Sequence, residues 1–132
     1  MKITADTNVL VRACVQDDQA QFKRAAKLLR DAELVAVSAA CLCEFVWVLK
    51  RGYKFADADV ARAVRLLVNS HNVVCNLPVV EAGLVVLEQG GDFADGVIAF
   101  EGFALGATEF VSFDKNAVAL LKAQHKAARL LG

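Results

Sequence analysis

The sequence is poor in the residues that build soft-metal and redox sites. It has two histidines, His71 and His125, too few for a histidine-based metal cluster. Its four cysteines, Cys14, Cys41, Cys43 and Cys75, form no CxxC pair, which argues against a zinc site or a catalytic dithiol. They read as buried free thiols of a reducing compartment. No apolar run is long enough to span a bilayer, and the start lacks a secretory-signal pattern, so the expectation is a cytoplasmic protein with no membrane association. Repeats, long linkers and low-complexity segments are also missing. There is no net charge either: 15 basic side chains balance 15 acidic ones, so composition neither announces nor excludes a nucleic-acid partner.

What is abundant is apolar surface, at 57% of residues, with 23% charged. A chain of 132 residues fits one domain, residues 1–132, and this richness fits a sheet buried on both faces. The opening Met1-Lys2-Ile3-Thr4-Ala5 reads as a strand that runs directly into Asp6-Thr7-Asn8. A short helix to about Cys14 follows, then a helix over Gln19–Asp31 with Phe22, Ala25, Ala26 and Leu29 on its apolar side. Its bases Lys23, Arg24, Lys27 and Arg30 read as a solvated face. Leu34–Val37 is the second strand, and Ser38 caps a third helix that holds Glu44 and ends near Lys50-Arg51-Gly52.

A helix opened by Asp57 or Asp59 runs to about Asn69, and Asn72–Cys75 forms a short strand stopped at Pro78. Val79–Glu88 is helical and is interrupted by Gly90-Gly91. Asp92 and Asp95, three apart in the first turn of the next helix, lie on one face where the helix dipole favours negative charge. Gly96, Ala99, Gly102 and Ala104 offer close approach along that helix, and Gly106 ends it. Thr108–Phe113 is a strand followed at once by Asp114, a repeat of the opening arrangement. Asn116–Ala123 is helical, and Arg129–Leu131 forms a small edge strand. This order predicts an α/β protein.

Asp6, Glu44, Asp95 and Asp114 stand out as acids in apolar surroundings. Gathered at one end of a sheet they would repel one another unless protons or cations intervened, and an all-oxygen set suits magnesium or manganese. Such ions activate water and stabilise a leaving oxygen in phosphodiester hydrolysis. Asp6, Asp95 and Asp114 are the candidate direct ligands, with Glu44 binding a second ion or orienting water. Asp92 is an outer ligand, and Thr7, Asn8, Ser112 and Asn116 orient carboxylates or waters. The competing assignment makes Asp6, Asp92 and Asp95 helix caps, Asp114 a turn residue and Glu44 half of a salt bridge.

Four stretches resemble the PIN-domain ribonucleases, especially the VapC-like toxins of bacterial type II toxin–antitoxin modules: Asp6-Thr7-Asn8-Val9-Leu10, Glu44 within Cys43–Leu49, Asp92-Phe93-Ala94-Asp95-Gly96-Val97-Ile98-Ala99, and Phe110-Val111-Ser112-Phe113-Asp114-Lys115. The resemblance spans nearly the whole chain. It implies a three-layer α/β/α sandwich around a central, mainly parallel sheet. It also implies a magnesium- or manganese-dependent endoribonuclease using Asp6, Glu44, Asp95 and Asp114. The partners implied are an RNA substrate, a second copy of the chain and a cognate antitoxin protein. Gly96 stands where related sequences often carry alanine, a difference that removes no ligand.

Arg12, Lys50, Arg51, Lys54 and Lys115 are candidates for an electropositive frame around the acids. Phe22, Phe45, Trp47 and Phe55 are candidates for dimer and antitoxin contacts, Trp47 being read as packing or an interface anchor rather than a base-stacking platform. A metal-dependent nuclease or phosphatase acting on DNA or small phosphates, and a non-enzymatic acidic interaction module, are the alternatives.

Overall fold

In the computed structural model, all residues Met1–Gly132 are described. The chain opens on β1, Lys2–Thr4, whose end delivers Asp6 to the start of α1, Thr7–Cys14. Asp18 caps α2, Gln19–Asp31, by accepting from the Gln21 amide at 3.0 Å. β2, Leu34–Ala36, lies parallel to β1 with Ile3 opposite Val35, and β3, Val73–Val74, lies parallel on its other side. Between β2 and β3 run α3, Ala39–Trp47, a π-helical turn over Val48–Gly52, and α4, Asp57–Val68.

Parallel pairing fixes polarity: the ends of β1 and β2 face the same way, so Asp6 and the Ser38-capped start of α3 leave one edge of this sheet. Val35 is fully buried at the middle of the three strands, and Leu10, Leu42, Phe45, Leu49, Val60 and Val64 are buried from the helices. Two polar residues are buried, Thr7 and Asn72. The Asn72 side-chain amide donates to the Leu29 and Ala32 carbonyls at 2.7 and 2.9 Å, which satisfies acceptors left over at the end of α2.

Met1–Asn76 forms one compact unit and Leu77–Gly132 a second. The second begins with α5, Leu77–Glu88, which takes Pro78 inside its first turn, where no amide hydrogen is needed. The strand-stopping role expected of Pro78 is therefore also a helix start. α6, Phe93–Ala104, follows, then β4, Phe110–Ser112, α7, Lys115–Ala123, and β5, Ala128–Leu130. β4 and β5 are parallel, with Val111 opposite Arg129, and Arg129 pairs with Glu109 at 2.9 Å. Strand pairing is parallel throughout, in sets of three and two strands.

Glycines let α5 and α6 touch. The Phe93 ring lies on Gly83, where a Cβ would come within 2.6 Å of it. A Cβ on Gly96 would run into the Ala82 carbonyl oxygen and approach the Gly83 Cα to 2.9 Å. Gly96 therefore belongs to a backbone-to-backbone helix contact. Gly102, expected to serve the same purpose, faces open space. α6 ends as expected at Gly106, whose φ of 113° permits the paired bonds Gly106 N–H to Phe103 O and Ala107 N–H to Gly102 O.

Candidate metal and nuclease site

In the first unit the site is built at the end of β1. Asp6 has extended backbone geometry, and its Oδ1 accepts from the Thr7 amide at 2.8 Å, while the side chain is exposed. Thr7 is buried, and its Oγ1 lies 3.6 Å from the Cys41 sulfur on α3. The Cys41 thiol also donates to the Ala5 carbonyl at 3.5 Å. α3 is thereby latched to the β1–α1 joint, and three residues further along the helix it presents Glu44 to solvent. Burial pushes the Cys41 thiol up; the Thr7 hydroxyl opposes this, while the charges of Asp6 and Glu44 add to it. The same thiol senses both carboxylates, so Asp6 and Glu44 share one neighbourhood. Cys41 is the buried free thiol expected from the sequence, and its three-residue spacing from Glu44 is the signal that places it at the site.

Glu44 has no salt bridge, so the assignment of this residue to an ion pair does not hold. Asn8 is exposed on the first turn of α1. Arg12, expected in an electropositive frame, is instead committed to Asp17, 3.1 Å away, and Asp17 also accepts from the Tyr53 hydroxyl at 3.0 Å. That hydroxyl, together with the Arg12 charge, holds the Asp17 carboxyl below its ordinary value. Lys50 is likewise engaged, with Asp57 at 3.1 Å. Arg51, Lys54 and Lys115 remain exposed. Phe45 is 2% exposed and belongs to the core, which removes it as a partner contact, while Trp47 is 62% exposed and is not packing within the chain.

In the second unit the carboxylates gather at two helix starts. Asp92 caps α6, its Oδ1 accepting from the Ala94 amide at 3.1 Å. Asp95 sits in the first turn of that helix, half-buried. Asp114 caps α7, its Oδ1 accepting from Asn116 and Ala117 at 2.9 and 3.1 Å. Ser112 accepts from the Asp114 amide at 2.9 Å, which fixes the backbone that aims this carboxylate. Asn116 reaches the Gly90 carbonyl through its side chain at 3.4 Å and gives Asp114 its backbone amide. Burial raises the Asp95 carboxyl above the ordinary aspartate value, and the negative charges of Asp92 and then Asp114 raise it further. Three acids thus feel one another here with no base among the causes.

The competing assignment is correct in making Asp6 and Asp92 caps; Asp95 lies inside the first turn of α6 instead, and Asp114 caps a helix rather than making a turn. Yet each cap occupies Oδ1 alone in these bonds, so Oδ2 stays available to a cation. Neither unit by itself draws three acidic, thiol or imidazole groups into a geometry that holds an ion. A hard cation does not demand that many, because magnesium binds through one or two carboxylates and keeps several waters. The donor chemistry fits such an ion: oxygen throughout, negative, and in the case of Asp95 destabilised when ionised.

The PIN domain family model matches residues 3–123. The chain belongs to the PIN-domain family. Its α/β fold, with helices alternating with parallel strands, is the PIN-like class expected from the sequence, an α/β/α sandwich. PIN domains are generally metal-dependent nucleases using divalent ions. No curated protein matches the chain. No helix is long and apolar enough to cross a membrane.

Proposed function

We propose that this PIN domain is an endoribonuclease toxin that hydrolyses RNA phosphodiester bonds with magnesium, or manganese in its place. The observation that carries the reading is Asp95: half-buried, beside Asp92 and Asp114, and with a carboxyl raised by burial and by both neighbours. A protein has little reason to gather such acids without a base unless a cation offsets them. Asp6, Asp95 and Asp114 are assigned as metal ligands, and Glu44 as a further ligand or the group that orients the attacking water. The bound ion supplies Lewis-acid stabilisation of charge on the phosphate and lowers the pKa of its water.

The protein's own contribution is preorganisation. The Thr7, Ala94, Asn116 and Ala117 amides hold one oxygen of their aspartates, which fixes the direction of the other. Ser112 fixes the turn below Asp114. A cognate antitoxin and a second copy of the chain are the proposed protein partners. An apolar groove of about 580 Å³ in the first unit, with Leu10, Phe55, Leu66 and Leu67 on its walls and Asp59 and Arg62 among its polar residues, supports docking of an antitoxin segment.

The test is cleavage of structured and single-stranded RNAs, beside DNA and small phosphate esters, with magnesium or manganese. Wild type is compared with Asp6→Asn and Asp95→Asn proteins of unchanged folding. Metal-dependent RNA scission lost in both variants is expected. Scission untouched by either change, or activity confined to DNA or small esters, refutes the assignment.

A further inference from the structure

Along α3 and the π turn, exposure follows one stripe: Ala40, Glu44, Trp47 and Arg51 face solvent, while Cys41, Leu42, Phe45, Val46 and Leu49 are buried. The offsets of four, three and four residues keep one azimuth on an α-helix. A π-helical turn advances less per residue, so Arg51 stays on the Trp47 side as the helix widens. Glu44, one of the proposed catalytic acids, thus has an exposed indole one turn away and a guanidinium beyond it. Arg51 makes no ion pair, unlike its neighbour Lys50.

An indole 62% exposed meets solvent at a cost in apolar hydration, and its surroundings say what it is for. The other large exposed apolar residues of this unit are Met1, Leu66 and Val74, none of them on α3 or the π turn. Protein interfaces centre such anchors in an apolar patch. On this stripe the indole is the one large apolar side chain exposed, placed between an acid and a guanidinium that makes no ion pair. That arrangement matches a nucleotide: a flat base for the ring and a phosphate for the arginine.

We infer that Trp47 is a stacking platform for an unpaired nucleobase of single-stranded RNA, with Arg51 taking an adjacent phosphate. The inference rests on the ribonuclease reading and adds the form of substrate, because a base within a duplex has no free face to offer. Glu44 would repel a phosphate placed at its own position, so the strand's phosphate belongs at the Arg51 end of the stripe.

Trp47 is the sole tryptophan, so its emission reports on this position alone. The full chain is titrated with a single-stranded oligoribonucleotide in chelator, which prevents metal-dependent cleavage, while a labelled copy reports binding by anisotropy. Binding is expected to quench Trp47. Trp47→Ala should weaken binding by about 10- to 100-fold, the loss of one stacked base, and Trp47→Phe should recover much of it. Arg51→Gln should flatten the slope of log affinity against log salt by about 0.7, the value for one phosphate on a single strand. Duplex RNA should leave the emission unchanged.

Anisotropic binding without quenching overturns the inference. So does unchanged affinity in Trp47→Ala, or an emission change that follows protein concentration and self-association instead of RNA. Quenching by RNA in a protein that cleaves nothing with either metal would sink the ribonuclease reading and leave the stacking site standing. Cleavage without quenching would do the reverse.

Discussion

Replacing Gly96 by alanine tests the close approach of α5 and α6. Alanine is the better helix former, and by propensity alone the change should stabilise α6 by about 1 kcal/mol. The structure predicts the opposite sign. The added methyl would collide with the Ala82 carbonyl and come within 2.9 Å of the Ala82 carbonyl carbon and the Gly83 Cα, all backbone atoms that cannot rotate away. Relief requires the helices to separate, at an overpacking cost of about 1–3 kcal/mol with the backbone contacts at the upper end. Net destabilisation of about 1–2 kcal/mol follows, or a fall in melting temperature of roughly 3–8 °C for a chain of this length. Urea unfolding followed by circular dichroism reads it directly, as a lower midpoint at unchanged slope. Gly102→Ala on the same helix is the control. With nothing near its Cβ, it should be neutral or stabilising by up to about 1 kcal/mol. Equal or greater stability in Gly96→Ala would refute the packing argument.

The remaining predictions concern charge and caps. Because the folded Asp95 carboxyl is raised, the native state holds its proton more tightly than the unfolded chain, and the stability this contributes is present at low pH and lost as pH rises through the folded value. In chelator, Asp95→Asn should therefore melt higher than wild type at neutral pH, with the gap closing below about pH 4; manganese at 100 times its dissociation constant should raise wild-type stability by about 2.7 kcal/mol, and that of Asp95→Asn by less. Asp114→Ala loses the amide bonds at the start of α7 and should cost about 1 kcal/mol, whereas Asp114→Asn keeps the cap, so thermal melts beside cleavage assays separate capping from metal binding. His125 holds φ at 61° just after α7, and His125→Gly should stabilise by about 0.5–1 kcal/mol in urea unfolding.

Much of the fold is legible in the chain because local chemistry and periodicity agree. α2 has the bounds its apolar stripe implies, and Ser38, Asp92 and Gly106 punctuate helices where caps and a left-handed glycine are expected. What is not legible depends on which surfaces meet. Nothing beside Gly96 distinguishes it from Gly102; only the crossing of α5 makes one indispensable and the other idle. Arg12 looks as available as Arg51 until Tyr53, just after the π turn, and Asp17, between α1 and α2, meet it. Phe45 and Trp47 are two apolar residues of one helix, separated only by azimuth into core and surface.

The carboxylates show a different kind of limit. Cap and cation ligand look like alternatives when each residue is given one role. An aspartate has two oxygens, however, and at Asp6, Asp92 and Asp114 the amides of the helix start use Oδ1. The cap fixes χ1 and χ2 and so limits the entropy lost when Oδ2 meets an ion. The helix dipole then acts in two directions: it favours the ionised acid, and it weakens that acid's pull on a cation. Asp95 sits in the same field, in the first turn of α6, but burial and its acidic neighbours outweigh it, so its raised carboxyl has the most to gain from a positive charge. If the proposed chemistry is right, the residue that does least for the metal-free fold should be the one whose neutralisation costs most in cation affinity.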